Sequence, residues 1–408
     1  MEKNKSGNYK WVILALMWVG VFIGSYAQYQ LSPLAGELIG TMGLDNSQFA
    51  SLIGAPMWFA IFFGLFGGAL SDKFGVKKMV AFGFVFSVIG LFLRINAASY
   101  GMFFIAMVLS GGAATFLTPN RSKVLQQWFG PENLSVAMGI CLTTSGLAQT
   151  LAIGTTAMLP SMKVAFTIAF VACLVIGICW ILFMKDSPMQ ADAGKTQEAK
   201  QAQNAESLLD CLKVALKSKN IWLTGMALLC VMVFTSTFNT FLPKILNEVR
   251  GFDSVKAGAY ATPISMGSCI SGLIVPWIYK KVGKYKPCLL AFSILGAALA
   301  FISWQAPEGI IMIVATFMTG FFMGASFPLL MSFPVLFKEI GPRYAASAGG
   351  LVATIQLLAS PLVIPYIVTP FAGTSVYKLL GAACVFMLLM GVIVLFLPEL
   401  GMKAKKEQ

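Results

Sequence analysis

The sequence predicts an all-α membrane protein: twelve membrane-spanning helices in two six-helix halves, with both termini on the cytoplasmic side. Three observations predict it: 58% hydrophobic against 11% charged residues, twelve separate apolar runs, and a repeat of motifs between the halves. A soluble chain carries about 25% charged residues, because its surface faces water. A deficit of this size means that lipid is the solvent for much of the surface. The 16 acidic residues all sit in loops or near the ends of apolar runs, as the cost of charge at bilayer depth requires.

Crossing about 30 Å of hydrocarbon takes roughly 20 helical residues. Runs of that order cover 11–34, 47–70, 79–96, 100–125, 134–159 and 163–184, then 220–245, 254–279, 287–304, 309–337, 345–369 and 375–397. The first run is too long for a cleaved signal peptide, and eleven more follow it. The predicted domains are an amino-terminal six-helix bundle over 1–184, a cytoplasmic linker over 185–219, and a carboxyl-terminal six-helix bundle over 220–408. The linker contains DSPMQADAGKTQEAKQAQNAES, rich in Ala, Gln and Lys and poor in aromatics. Its end, SLLDCLKVALKS, spaces apolar and basic residues as a helix lying on the membrane surface does.

Orientation follows from the basic residues. With the amino terminus inside, inner segments hold 23 Lys and Arg and outer segments hold 6, counting Arg94, Lys163, Lys378 and three from Lys244 to Lys256 as outer. This asymmetry is the positive-inside pattern, so both termini are expected in the cytoplasm of a bacterial inner-membrane, multi-pass protein. The net charge of +13 is spread over short clusters between apolar runs, which points to topology and not to nucleic acid.

Eight cysteines are scattered singly without CxxC spacing, and there is no histidine. Metal sites, imidazole relays and Ser-His or Cys-His nucleophile pairs are therefore not expected. No cofactor and no enzymatic activity are predicted.

Motifs recur between the halves. GALSDKFGVKK (Gly68 to Lys78) follows span two, and PWIYKKVGKYK (Pro276 to Lys286) follows span eight. An offset of 208 pairs Gly75 with Gly283, Lys73 with Lys281 and Lys78 with Lys286. GPENLSVAMG (Gly130 to Gly139) pairs with GPRYAASAGG (Gly341 to Gly350) at an offset of 211. A repeat of six spans is the design of carriers that alternate access to a midplane site between their halves.

The GALSDKFGVKK segment resembles the cytoplasmic loop signature of the major facilitator superfamily, with Gly68, Asp72, Lys73, Gly75, Lys77 and Lys78 matching. The resemblance covers nearly the whole chain. It implies a gate in which this loop latches the cytoplasmic side shut in the outward-open state. Chemically, Gly68 permits close helix approach, Gly75 a tight turn, and Asp72 can accept from basic groups or a helix amino terminus. In the second copy the aspartate position is Lys280, so that latch is expected to be weaker. The stretches FMGASFPLLMSFPVLFKEIGPRYAASAGG and FLRINAAS are similar to the cyanate, nitroimidazole and nitrate branch of the superfamily. That branch often carries an arginine in the middle of span one, whereas this chain reads SYAQYQLSP there. Span five, MGICLTTSGLAQTLAIG, lacks the Gly-Pro element of many proton-coupled drug antiporters.

In this fold spans 1, 4, 7 and 10 mainly line the cavity, and polar groups near their middles are the candidate substrate contacts. Span one offers Tyr26, Gln28, Tyr29 and Gln30; hydrocarbon supplies no partners for such groups. Span four offers Thr118 and Arg121, span seven Asn239 and Lys244, and span eleven Gln356. Arg121 either snorkels to the inner interface or serves as the anion-binding group of the first half. Lys244 lies towards the outer mouth, where it is either a surface lysine or an attractor of anions. No Asp or Glu falls mid-membrane, so coupling is expected through a proton carried with the substrate or through a counter-solute. The expected activity is secondary active transport of a small organic solute, an organic anion such as a carboxylate, by a monomer in membrane lipid. The alternative is a drug or metabolite efflux pump for amphipathic compounds.

Overall fold

A computed structural model describes residues 3–185, 216–337 and 339–400. Most of the predicted linker, 186–215, and with it most of the predicted surface helix, lies outside the described residues. The described residues are helical with no strand among them.

The helices are α1 (Lys3–Tyr29), α2 (Ala35–Met42), α3 (Asn46–Gly54), α4 (Pro56–Phe74), α5 (Val76–Ile95), α6 (Tyr100–Ser110), α7 (Gly112–Thr155) and α8 (Met162–Phe183). They continue as α9 (Lys219–Arg250), α10 (Ser254–Val282), α11 (Tyr285–Ser303), α12 (Ile310–Leu336) and α13 (Gly341–Leu357). A π-helical segment (Ala359–Val368), α14 (Thr369–Ala372) and α15 (Val376–Phe396) complete the order. Among the described residues ten helices are long and apolar enough to cross a membrane. The second and eighth predicted spans lie outside that set, and both include side chains outside the described ones. The second is also split at Ala55, with Pro56 opening a new helix where its missing N–H costs nothing.

Local chemistry explains many ends. Ser99, Ser161, Ser218, Asp253 and Ser375 each accept a backbone N–H of the first turn they cap. Gly75 and Gly283, the pair matched by the sequence repeat, both have positive φ, 87° and 74°. Each reverses the chain between two long helices, a conformation that glycine adopts without steric cost.

Three features differ from the sequence expectation. The first span ends at Tyr29, and a turn over 30–34 containing Pro33 separates it from α2. The helical pattern of α7 continues through 126–133, where a loop is expected, because Leu125, Gln126 and Gln127 favour helix. The eleventh span widens into a π-helix at 359–368, where Pro361 and Pro365 lack the N–H an α-ladder needs.

The chain forms two compact units. Unit one comprises Met1–Leu31, Leu52–Ala152 and Met158–Ala205, and unit two comprises Ser32–Ser51, Ile153–Ala157 and Glu206–Gln408. Segments 32–51 and 153–157 thus group with the later part of the chain.

In unit one the core gathers Met17, Phe59, Phe84, Phe116, Leu117 and Trp180. The buried Trp180 donates its indole N–H to the Lys77 carbonyl at 3.1 Å, fixing α8 to the start of α5. Ser87 donates to the Ser110 carbonyl and accepts from the Ala113 N–H, both at 2.9 Å, which mends the ladder interrupted at Gly111.

In unit two Phe234, Phe238, Phe241, Phe333 and Trp304 are fully buried. Glu399 accepts the N–H groups of Tyr285 and Lys286 at 2.7 and 3.2 Å, capping α11 from the far end of the chain.

The repeat also appears in packing. A Cβ placed on Gly111 would lie 3.0 Å from the carbonyl carbon of Pro56, and one on Gly320 would lie 2.5 Å from that of Ile264. These two contacts are displaced by 209 and 208 residues, in step with the motif offsets. Gly320 and Gly324 of α12 meet Ile264, Ser268 and Ser271 of α10, and Gly267 of α10 meets the Phe317 and Phe321 backbone, so two backbones approach through small residues.

Candidate functional site

The last turn of α1 carries four of the predicted contacts. Tyr26 stacks near Phe22 with ring centroids 6.0 Å apart, and Gln28 donates to the Ile53 carbonyl at 2.9 Å, where span two breaks. Tyr29 is half-buried. Gln30 is fully buried: its amide N–H donates to the Ala165 carbonyl at 3.0 Å, and its oxygen accepts from Arg94 at 2.9 Å. Its polar groups are therefore used inside unit one.

Arg94 was not among the predicted contacts, and the charge count placed it in an outer loop. The structure encloses it, at 1% exposure, between α1, α5 and α8. One terminal nitrogen donates to the Ala27 carbonyl at 2.6 Å, and the guanidinium lies over the Phe166 ring at 4.2 Å. Among the described residues it has no carboxylate partner, and its Nε has no hydrogen-bond acceptor. Charge near a span end reads in sequence as a topology signal, so nothing there revealed a buried role.

On α7, Thr118 is exposed and Asn120 is buried, with its amide donating to Ser71 Oγ and to the Phe116 carbonyl, both at 2.8 Å. Arg121 is half-buried near Cys141. Among the described residues its guanidinium has neither an ion pair nor a hydrogen bond. Further along α7, Thr144 Oγ1 and Gln149 Nε2 are buried without a partner among the described residues.

In unit two Asn239 is buried and accepts from Ser265 Oγ at 3.4 Å. Lys244 is already engaged. It donates to Asn46 Oδ1 at 2.5 Å and stands 3.6 Å from Glu248, while Asn46 donates to the Gly373 carbonyl at 3.2 Å. Phe241, Lys244, Glu248, Asn46, Gly373 and Ser375 border a cleft of ≈ 20 Å³, room for about one water. Among the described residues, Gln356 Oε1, Thr235 Oγ1 and Ser326 Oγ are buried without partners on spans eleven, seven and ten. A buried polar atom that no protein group satisfies needs water or a ligand. That criterion adds Thr144, Gln149, Thr235 and Ser326 to the predicted set; in the sequence they are uncharged polar residues within apolar runs.

For the loop signature, Gly68, Asp72 and Lys73 lie on α4, and the side chains of Asp72 and Lys73 are outside the described ones. Gly75 makes the turn, Lys77 is half-buried and Lys78 is exposed. No group of three metal-ligating side chains is present among the described residues.

The family model described as Major Facilitator Superfamily matches residues 17–364. The chain belongs to that superfamily. Members move small molecules across membranes and are not enzymes, and the apolar helices described above agree with a membrane protein. A Cupriavidus necator protein described as the probable sulfoacetate transporter SauU is 25% identical over 388 residues, covering 88% of this chain and 87% of its own. The hexuronate transporter of Bacillus subtilis is 25% identical over 284 residues, 67% of this chain and 66% of its own. In structure, the chain resembles a bacterial homologue of the human lysosomal transporter Spinster in an inward-facing, unoccupied conformation. That match has a TM-score of 0.76 at 13% identity and covers 95% and 96% of the two chains. It speaks to the shared fold alone.

Proposed function

We propose that this superfamily member is a secondary active transporter of a small organic anion, a carboxylate or sulfonate, working by alternating access. The observation that carries the reading is Arg121: a half-buried guanidinium in a membrane span with no partner among the described residues. An unpaired, half-buried cation at the end of a span is costly, and an anionic substrate relieves that cost. The relatives named for sulfoacetate and hexuronate support the same class. In this reading Tyr26, Gln28, Tyr29 and Thr118 share the substrate with Arg121, and Asn239 and Gln356 contribute from the second half. Gln30 holds the turn that carries the first three, and Lys244 draws anions at the outer mouth.

The remaining architecture belongs to the same proposal. Twelve spans in bundles 1–184 and 220–408, joined by a linker over 185–219, leave both termini in the cytoplasm of a bacterial inner membrane. The protein acts as a monomer, and Gly68, Asp72, Lys73, Gly75, Lys77 and Lys78 form the cytoplasmic gate. Energy enters with a proton accompanying the substrate or with a counter-solute.

The test is thermal stabilisation of the purified protein by D-galacturonate, sulfoacetate, nitrate and an amphipathic cation in parallel. A ligand that binds only the folded state stabilises it by about 2.7 kcal/mol at 100 times its dissociation constant. Stabilisation by an organic anion, lost in Arg121→Ala, is the expected result. A response confined to the amphipathic cation would overturn the reading and favour efflux.

A further inference from the structure

Arg94 is the most unusual buried group in unit one. The last backbone bond of α1 runs from the Gln30 N–H to the Tyr26 carbonyl at 3.0 Å. The next carbonyl, Ala27, is thus the first that the ended helix leaves unpaired, as every helix end must. Arg94 supplies the missing donor at 2.6 Å from the last turn of α5, where the helix dipole favours a cation. The same guanidinium donates to Gln30 Oε1 at 2.9 Å, and Gln30 passes the link on to the Ala165 carbonyl of α8 at 3.0 Å. Phe166, the next residue of α8, covers the cation from one face at 4.2 Å.

This is a planar fork that bonds two acceptors in fixed geometry, which a lysine cannot reproduce. Arg94 is 1% exposed and Gln30 0%, so neither can exchange its partners for bulk water. The tie locks the point at which α1 stops, and that point bears Tyr26, Gln28 and Tyr29 within one turn.

We infer that Arg94 is a positioning residue: through Ala27 and Gln30 it sets the placement of the α1 turn that presents Tyr26, Gln28 and Tyr29 to substrate. The inference rests on the proposed substrate role of that turn, and it adds a residue that does not itself touch the ligand.

The experiment uses the full-length purified protein with Arg94→Lys, Arg94→Met and the milder Gln30→Ala, which keeps the cation. Hydrogen exchange is followed over peptides spanning 24–34. Affinity is read from the concentration dependence of thermal stabilisation by D-galacturonate, or by sulfoacetate if the unmodified protein responds to that instead. The expected result is exchange accelerated in 24–34 but not in α9 to α15, with the dissociation constant raised roughly tenfold, the equivalent of about one hydrogen bond to the ligand lost. Arg94→Lys should fail to restore either quantity. Unchanged exchange in 24–34 for Gln30→Ala and Arg94→Lys would overturn the positioning role and leave the substrate reading intact. Accelerated exchange with unchanged affinity would overturn the substrate role of the turn and this inference with it. The same holds if no organic anion stabilises the unmodified protein.

Discussion

Replacing Gly320 with alanine tests the small-residue seam between α10 and α12. The new Cβ would lie 2.5 Å from the Ile264 carbonyl carbon and 2.7 Å from its Cα, against an ordinary contact near 3.4 Å. The Ile264 carbonyl oxygen lies closer still, so the two backbones must part by more than about 1 Å, because the obstructing atoms belong to the main chain and no rotamer can move aside. Overpacking of this kind costs ~1–3 kcal/mol, and the backbone obstacle places it at the upper end. For a unit of about 200 residues, 1 kcal/mol shifts the unfolding midpoint by roughly 2–4 °C, so a fall of about 6–12 °C is expected. The control is Gly272→Ala on α10, the partner helix of the seam, where a Cβ would meet nothing within 4 Å. There the gain in helix propensity, ~0.5–1 kcal/mol, should leave the midpoint unchanged or raise it. Thermal unfolding of both variants in one detergent reads the difference. A Gly320→Ala midpoint equal to that of the unmodified protein, or an equal fall in both variants, would refute the packing argument.

Three further outcomes are expected. Arg121→Ala should weaken binding of the transported anion roughly 10- to 100-fold, the loss of a charged hydrogen bond worth ~1.5–3 kcal/mol, while the unfolding midpoint stays within a few degrees. Titration by thermal shift measures it, and Arg121→Lys should recover only part of the affinity because the fork is lost. Gly75→Ala should destabilise by ~1–3 kcal/mol, since its φ of 87° and ψ of 141° suit glycine alone; circular dichroism on heating measures this. Asn46→Ala removes both the acceptor for Lys244 and the donor to the Gly373 carbonyl, and should cost ~1.5–3 kcal/mol in chemical denaturation.

The apolar runs were readable because a span needs length and hydrophobicity, and the ten helices that meet that standard coincide with predicted runs. Gly75 and Gly283 were readable for a different reason: a tight reversal admits little else, so the residue type carries the backbone geometry. Side-chain facing was not readable. A helix that is apolar on all sides has no polar stripe to mark its inner face, so Gln30 and Gln28 look equivalent in sequence. One is wholly spent within unit one, and the other is half-buried against the Ile53 carbonyl. Charges near span ends share this ambiguity. Lys244 and Arg94 both read as interfacial, yet Lys244 is held by Asn46 and Glu248, and Arg94 is enclosed. The π-helix of span eleven was hidden because its two prolines are equally compatible with a kink.

The enclosure of Arg94 also bears on how the protein is made. Its cover comes from α8, whose first residue is synthesised about 70 residues later, some 4–14 s at ribosomal speed. Until then the guanidinium, in the last turn of α5, has a side chain long enough to extend towards a headgroup layer. Ala27 and Gln30 precede Arg94 in the chain and can engage it at once, whereas the Phe166 cover and the Ala165 anchor of Gln30 arrive only with α8. The enclosure is thus begun early and completed late, and a chain ending before α8 would leave that arginine without its Phe166 cover.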